Sequence, residues 1–427
     1  MIESAQTNQV SRFALYAVAM YLFVTLGRLH ELFPILMYLP IGKITVLAVL
    51  LAVLFMKPIK QNPSMKPPRK IVVLCVIYLL LAILSVALSV YKARSFELLT
   101  GPLLSTSILL YALVKTTRDV KSLAFYVKCF AFSGAALAYT TVTLGATGRL
   151  SVGMTFDPND LAMVLVTILP LVVMLFVMAR PRSKLLYGGV IAIMLFAIVL
   201  TGSRGGFLGL IAVACYLLLV RLPTKMGEKT PRFSFKKIVL TLSAVAALAM
   251  FSSDEYWNRI ATIFNPSDDY NVTSDQGRLA LWGDGVELML QYPYGVGVGA
   301  FSAAQGMVSG GRYQTAHNTL IQVGAELGIL GLFIFLWLYL CSIRILSGAE
   351  NYKGEGAFEF KYYLIGLKGA FIGCFVASFF LSQAYSTLLF SLFILTHCIA
   401  VIAYRSELDE LENDAMTGVI VSRHRDG

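Results

Sequence analysis

The sequence has few charged residues. Aspartate, glutamate, lysine and arginine make up 14% of its 427 residues, whereas soluble globular proteins contain roughly 25%. Hydrophobic residues account for 57% of the chain, and the mean hydropathy is +0.74. The apolar runs are long and rich in leucine, valine and alanine, which favours membrane-spanning helices over a β-barrel. The composition excludes an ordinary soluble domain and predicts an all-α integral membrane protein.

The sequence also lacks the residue groups that hold metals or form disulfides. Its six cysteines show no CxxC spacing and lie in apolar stretches, and its four histidines are scattered. Neither a disulfide framework nor a zinc site is supported, so we predict no metal and no cofactor. The first residues carry neither the basic region nor the cleavage site of a signal peptide, so we expect the first span to be retained.

Apolar windows predict about twelve transmembrane helices, because each span needs about 20 apolar residues. The predicted spans lie near residues 12–28, 34–56, 70–91, 99–115, 121–144, 159–179, 185–201, 204–222, 237–252, 317–343, 362–381 and 384–404.

Basic loops set the predicted orientation. Segments 57–70, 180–184 and 221–237 follow the second, sixth and eighth spans, and lysine and arginine dominate all three. By the positive-inside rule, this side of the membrane is cytoplasmic, and both termini are then cytoplasmic as well. The same loops carry most of the net charge of +11, and we expect that charge to contact membrane lipids. We therefore expect no nucleic-acid partner.

This topology divides the chain into four segments. Residues 1–252 hold spans one to nine, 253–316 form an extracytoplasmic loop domain with short helices, 317–404 hold spans ten to twelve, and 405–427 form a cytoplasmic tail. The loop domain contains seven acids and three arginines but no lysine. Long loops of this kind are often functional. Its tryptophans and spaced glycines predict that this one is folded and functional.

Arg204 is a candidate anion-binding residue. It lies in the turn TGSRGGFLGL, where Ser203 is a predicted N-cap and the glycines permit a sharp turn and the close approach of a ligand. A helix N-terminus beside an arginine is a good anion site. The alternative is an arginine that extends to the membrane interface.

Arg278 is a second candidate. It precedes Trp282 by four residues on a short predicted helix capped by Ser274 or Asp275, so the indole can orient the guanidinium. The alternative is a solvated arginine on an amphipathic helix.

His317 is a candidate general base at the start of the tenth span. A histidine at a helix N-terminus is favoured in its neutral form, which is the form that accepts a proton. The alternative is a capping or interfacial histidine. Gly295, Gly297 and Gly299 precede it without a predicted strand, so they indicate a flexible or close-approach loop that leads to His317 and not a dinucleotide site. Glu326 falls on the opposite helix face from His317, and we interpret it as a packing or pairing residue.

Together, four motifs resemble those of the O-antigen ligase and polymerase family of bacterial inner-membrane glycan transferases. They are GMTFDPNDLAMVL (Gly153 to Leu165), TGSRGGFLGL (Thr201 to Leu210), GRLALW (Gly277 to Trp282) and YGVGVGAF with HNTLIQVGAELGILG (Tyr294 to Gly331).

The resemblance implies a multi-spanning, GT-C-like glycosyltransferase fold with its active site on the periplasmic face of the inner membrane. The implied donor is a glycan linked to undecaprenyl diphosphate, and the implied acceptor hydroxyl belongs to a lipid A core, another glycan or a protein. By position, Arg204 and Arg278 would bind the diphosphate and His317 would activate the acceptor. Arg149, Asn159 and Arg312 are further candidates for substrate contact.

Two other functions remain open at this stage. About twelve spans, the intramembrane Glu326 and the outward arginines also permit a secondary transporter of an anion such as bicarbonate or a sugar acid, although no inverted repeat is visible. A glycan-binding or scaffolding protein without catalysis is the third possibility.

Overall fold

The structure, a computed structural model, describes residues 12–56, 67–144, 157–224, 230, 254–262, 265, 277–311 and 313–417. Within these ranges the regular structure is helical and contains no strand.

Sixteen α-helices can be followed through the described ranges. They are α1 (Arg12–Leu22), α2 (Pro34–Met37), α3 (Ile41–Leu54), α4 (Lys70–Leu88), α5 (Lys92–Leu98), α6 (Leu104–Thr116), α7 (Val120–Leu144), α8 (Pro158–Met178), α9 (Pro181–Leu200), α10 (Arg204–Leu219), α11 (Asp254–Ala261), α12 (Arg278–Gln291), α13 (Phe301–Val308), α14 (Thr319–Gly348), α15 (Ala357–Ser378) and α16 (Thr387–Thr417).

The described helices confirm an all-α, multi-spanning membrane protein. Eight helical stretches are long and apolar enough to cross a membrane, and three apolar helices, Arg12–Gly27, Ile41–Leu54 and Arg204–Leu219, are shorter. The predicted span at 237–252 lies outside the described residues.

Prolines account for the main errors in the predicted spans. The prediction of one helix over 34–56 is wrong, because Pro34 begins the short helix α2 and Pro40 precedes the separate helix α3. The predicted span at 99–115 begins earlier, at Lys92, and passes through a π-helical turn, Leu99–Leu103, that contains Pro102. Proline removes a backbone donor and disrupts regular helical hydrogen bonding, and hydropathy alone does not register this effect.

Helix α8 lies at the centre of the bundle and packs on α7, α9, α10 and α15. Small residues set the spacing: a Cβ on Gly206 of α10 would lie 2.5 Å from Cβ of Ala162, and Gly369 of α15 faces the ring of Pro170. Close helix contact through small residues is typical of membrane proteins. This packing holds the first turns of α8 and α10 side by side at one end of the bundle.

Helix α14 is broken at Gly328, where φ is 73° and ψ is −178°. The loop 293–299 inserts at the break. The N–H groups of Val296 and Gly297 donate to the carbonyl oxygens of Ala325 and Glu326 at 2.8 and 3.1 Å, and the Ile329 N–H donates to Pro293 at 3.3 Å. Because buried backbone groups in a membrane protein need internal partners, the loop and the broken helix stabilise each other. The glycine-rich segment is thus the close-approach loop predicted from the sequence.

Gly295 provides a test of the contact between the loop 293–299 and the break in α14. It has a φ of +90°, and a Cβ there would collide with the backbone of Glu326 and Gly328. We expect Gly295→Ala to lower the melting temperature in detergent clearly, since a strained backbone alone costs about 1–3 kcal/mol. The control is Gly283→Ala on α12, where a Cβ meets open space. It should leave the melting temperature unchanged or raise it, because alanine favours a helix by about 1 kcal/mol over glycine. Equal melting temperatures for the two variants would contradict this packing.

Candidate active site

The turn 379–386, between α15 and α16, joins several of the candidate residues. Ser382 Oγ accepts a hydrogen bond from the His317 N–H at 3.0 Å. The Gln383 N–H donates to Thr319 Oγ1 at 3.1 Å, and the same hydroxyl lies 2.8 Å from the carbonyl oxygen of Leu381. These bonds fix the turn against the start of α14.

His317 lies just before α14. Asn318 is the N-cap residue, and its Oδ1 accepts from the N–H groups of Leu320 and Ile321 at 2.9 and 3.1 Å. His317 itself has a φ of 44°, an uncommon conformation for a residue other than glycine. Its Nε2 lies 3.3 Å from Thr315 Oγ1. The cap and the bond to Ser382 together fix the backbone of His317 at the start of α14.

The pKa of His317 is lowered, chiefly because the ring is partly buried and also because Arg278 is positively charged, while Asp157 acts in the opposite direction. The neutral form predicted from the sequence is therefore favoured. The physical reason for this preference differs from the predicted one. The sequence pointed to the helix dipole, whereas in the structure burial of the ring is the main cause. The electrostatic effects also place Arg278 and Asp157 close to the imidazole.

Arg278 is the first residue of α12, and its helix is capped by Gly277. The caps expected from the sequence, at positions 274 and 275, lie outside the described residues. Trp282, one turn later, contacts the ring of Phe379 edge to face, with 5.6 Å between centroids. Helix α12 is thereby positioned against the same turn that binds the His317 backbone.

Arg204 is the first residue of α10. The predicted N-cap is confirmed, because Ser203 Oγ accepts from the Gly206 N–H at 3.1 Å. Arg204 Nη1 donates to Thr262 Oγ1 at 2.8 Å, which links α10 to the segment after α11. Gly202 makes the sharp turn, with a φ of 57°.

The roles that we expected for Gly205 and Gly206 need correction. A Cβ on Gly205 would lie 3.3 Å from Phe380, and Gly206 faces Ala162. These two glycines allow α10 to pack against the turn 379–386 and α8, and they do not open a space for a ligand.

Asn159 lies in the first turn of α8. Asp157 caps this helix by accepting from the N–H groups of Asn159 and Asp160 at 2.7 and 2.9 Å. Gln383 Nε2 then donates to Asp160 Oδ1 at 2.7 Å, which ties α8 to the turn 379–386. The other two candidates, Arg149 and Arg312, lie outside the described residues.

Glu326 is a buried pairing residue, in agreement with its interpretation from the sequence. It accepts from the N–H groups of Gly299 and Phe301 at 2.9 and 3.3 Å and from the Tyr385 hydroxyl at 2.7 Å. Its carboxylate therefore holds the first turn of α13 and the end of the turn 379–386 on α14.

Sequence reasoning missed Ser382 and Gln383. The signal was a short polar run, SQAYS, between two strongly apolar spans. Hydropathy identifies such a run only as a loop between two spans. Its contacts with residues more than 60 positions earlier form only when the chain is folded.

In the described part of the chain, no group of three or more histidine, cysteine, aspartate or glutamate side chains is arranged to hold a metal ion. The charged groups that surround His317 are instead an arginine and a carboxylate.

Comparison with known families supports the resemblance seen in the motifs. Residues 189–336 match a family described as O-antigen ligase. This stretch includes Arg204, Arg278 and His317. A search of curated proteins finds no significant match to the chain.

The environment of His317 predicts opposite effects for two charge changes. Arg278→Ala removes a nearby positive charge and should raise the pKa of His317, whereas Asp157→Asn removes a negative charge and should lower it further. NMR titration of histidine-labelled protein checks this, with the signal of His317 assigned by its loss in His317→Gln. Arg182→Ala, an exposed change at the start of α9, should leave the pKa unaltered. A lower pKa in Arg278→Ala would contradict the geometry.

Proposed function

We propose that this member of the O-antigen ligase family transfers a glycan from undecaprenyl diphosphate to an acceptor hydroxyl. The observation that carries the proposal is that burial and the charge of Arg278 lower the pKa of His317, and that both residues lie inside the segment that matches the family. Arg204 begins the neighbouring helix α10, which packs on the same turn 379–386.

His317 would act as the general base. Its lowered pKa keeps the ring able to accept a proton near neutral pH. In the reaction, the acceptor hydroxyl gives its proton to His317 while its oxygen forms a bond to C1 of the donor sugar. The bond between C1 and the diphosphate oxygen breaks, and undecaprenyl diphosphate leaves. Attack from the side opposite the diphosphate inverts the anomeric centre.

The two arginines would stabilise the leaving group. Arg204 and Arg278 are each the first residue of a helix, so a guanidinium and the positive end of a helix dipole occur together at both places. Guanidinium groups bind phosphate oxygens in a bidentate manner. Negative charge grows on the diphosphate as the C1–oxygen bond breaks, and fixed positive groups lower the energy of that transition state. We propose that they do so without a metal ion.

The expected location follows from the basic loops and the family. We propose a multi-pass protein of the bacterial inner membrane, with both termini in the cytoplasm and His317 on the periplasmic face. A lipid A core, a growing glycan or a protein hydroxyl each fits as the acceptor class.

Anion transport is less well supported. A broken membrane helix with a buried acid is a feature of transporters, and α14 has both at Gly328 and Glu326. Here, however, the carbonyl groups at the break bind the loop 293–299, and Glu326 accepts hydrogen bonds from α13 and the turn 379–386. These groups therefore stabilise the fold through contacts within the protein.

The test is transfer by purified protein in nanodiscs, with undecaprenyl-diphosphate-linked oligosaccharide and each acceptor class. We expect His317→Gln to lower the turnover rate about 10²- to 10⁴-fold, and Arg204→Ala or Arg278→Ala to lower it about 10²- to 10³-fold. Products are identified by mass spectrometry.

Arg182→Ala removes an arginine from the start of α9, outside the site, and serves as the control with wild-type activity. Wild-type rates in His317→Gln at normal protein levels would refute the assignment of the base. Substrate flux in proteoliposomes without any glycan product would favour transport.

A further inference from the structure

A cavity of about 1000 Å³ lies at the end of the bundle opposite the candidate active site. Helix α16 begins beside the turn 379–386 and reaches the cavity at Ile402, which is roughly 22 Å further along a regular helix. Val120 and Ala124, at the start of the span α7, also line the cavity. The cavity therefore lies at the membrane boundary, away from the residues proposed for glycan transfer.

Two arginines meet in the wall of this cavity. Arg405 Nη1 lies 3.5 Å from the carbonyl oxygen of Arg118, and both side chains are half-buried. The pKa of Arg118 is lowered, chiefly by burial and then by the positive charge of Arg405, while Asp119 acts in the opposite direction. Among the described residues, neither arginine forms an ion pair with a carboxylate. Adjacent guanidinium groups of this kind favour an anion with several oxygens, such as phosphate.

Two carboxylates lie one helical turn beyond Arg405. Asp409 follows it by four residues, so it lies on the same face of α16 and about 6 Å further from the apolar part of the helix. Glu410 comes next, and both acids are exposed and line the cavity. The pKa of Tyr352, another lining residue, is raised chiefly by burial, and the charge of Asp409 contributes. Negative charge is therefore present at the solvent end of the cavity.

The other charged groups in the lining do not change this arrangement. Lys121 and Glu355 pair with each other at 2.9 Å, so their charges offset. Asp119, Lys353 and Glu359 are exposed to solvent. Along α16, the cavity thus has a positive site near the membrane and a negative site further out.

We propose that this cavity binds the phosphoethanolamine head group of a membrane phospholipid, in which a phosphate and an ammonium group are joined through two carbon atoms. Arg118 and Arg405 would bind the phosphate, and Asp409 and Glu410 would bind the ammonium group. In such a lipid the phosphate lies nearer the acyl chains than the ammonium group does, which is the order of the charges along α16. The proposal goes beyond the proposed glycan transfer and does not depend on it.

The test measures which lipids the protein retains. Wild-type protein is placed in nanodiscs of phosphatidylglycerol that contain a minor fraction of phosphatidylethanolamine or phosphatidylcholine. Native mass spectrometry then counts the lipid molecules that stay bound after release from the nanodisc. We expect phosphatidylethanolamine to bind about 10- to 100-fold more tightly, because its ammonium group donates charged hydrogen bonds and the trimethylated nitrogen of phosphatidylcholine donates none.

Variants separate the two charged sites. Asp409→Asn combined with Glu410→Gln should abolish the preference for phosphatidylethanolamine, whereas Arg405→Gln should weaken the retention of both lipids. The matched controls are Glu407→Gln on α16 and Arg344→Gln near the end of α14, which are exposed and lie outside the cavity lining. Both controls should keep the preference of the wild type.

Equal retention of the two lipids by the wild type, or a preference that survives the double acid variant, would overturn the proposal. Asp409 and Glu410 are exposed, so we expect the double variant to keep the melting temperature of the wild type in phosphatidylglycerol alone. Free phosphoethanolamine, added to nanodiscs without the lipid form, distinguishes the two sources of this head group. Tight binding of the free compound without retention of the lipid would contradict a phospholipid ligand.

Discussion

The hydrogen bonds between the turn 379–386 and the start of α14 are the constraint on which the site depends. Ser382 binds the His317 backbone, and Thr319 binds the turn from the other side. Both the turn and the helix start would otherwise leave backbone groups without partners at the end of a membrane bundle. The bonds that satisfy these groups also fix the backbone of His317. Structural stability and the position of the proposed base thus have the same cause.

Other elements reach the site because they pack on this turn. Helix α12 contacts it through Trp282 and Phe379, and α10 approaches Phe380 because residue 205 is glycine. Helix α8 is attached through the bond between Gln383 and Asp160. Each of these helices begins at the polar end of the bundle, so their N-termini provide positive electrostatic potential there. Such an arrangement favours an anionic ligand, which agrees with the diphosphate donor that we propose.

The sequence predicted the parts of the molecule that local patterns determine. Long apolar runs located α8 near 159–179, where the helix spans Pro158–Met178, and the Ser203 cap followed from the residue type alone. The split of the 34–56 run before Pro40 was missed because hydropathy averages over a single proline. The role of Ser382 was also missed, because its bond to His317 joins residues 65 positions apart. Gly205 and Gly206 were predicted to allow the close approach of a ligand. This prediction was wrong because a glycine that packs on a neighbouring helix has the same local sequence as one that faces a substrate.

The central claim is that Arg204 and Arg278 bind the diphosphate of the donor and that His317 is the base that activates the acceptor. A cryo-electron microscopy structure of the His317→Gln protein in nanodiscs, with the undecaprenyl-diphosphate-linked glycan bound, tests this most directly. The account predicts diphosphate oxygens within hydrogen-bond distance of both arginines, with sugar C1 facing residue 317. Diphosphate density away from both arginines would contradict it.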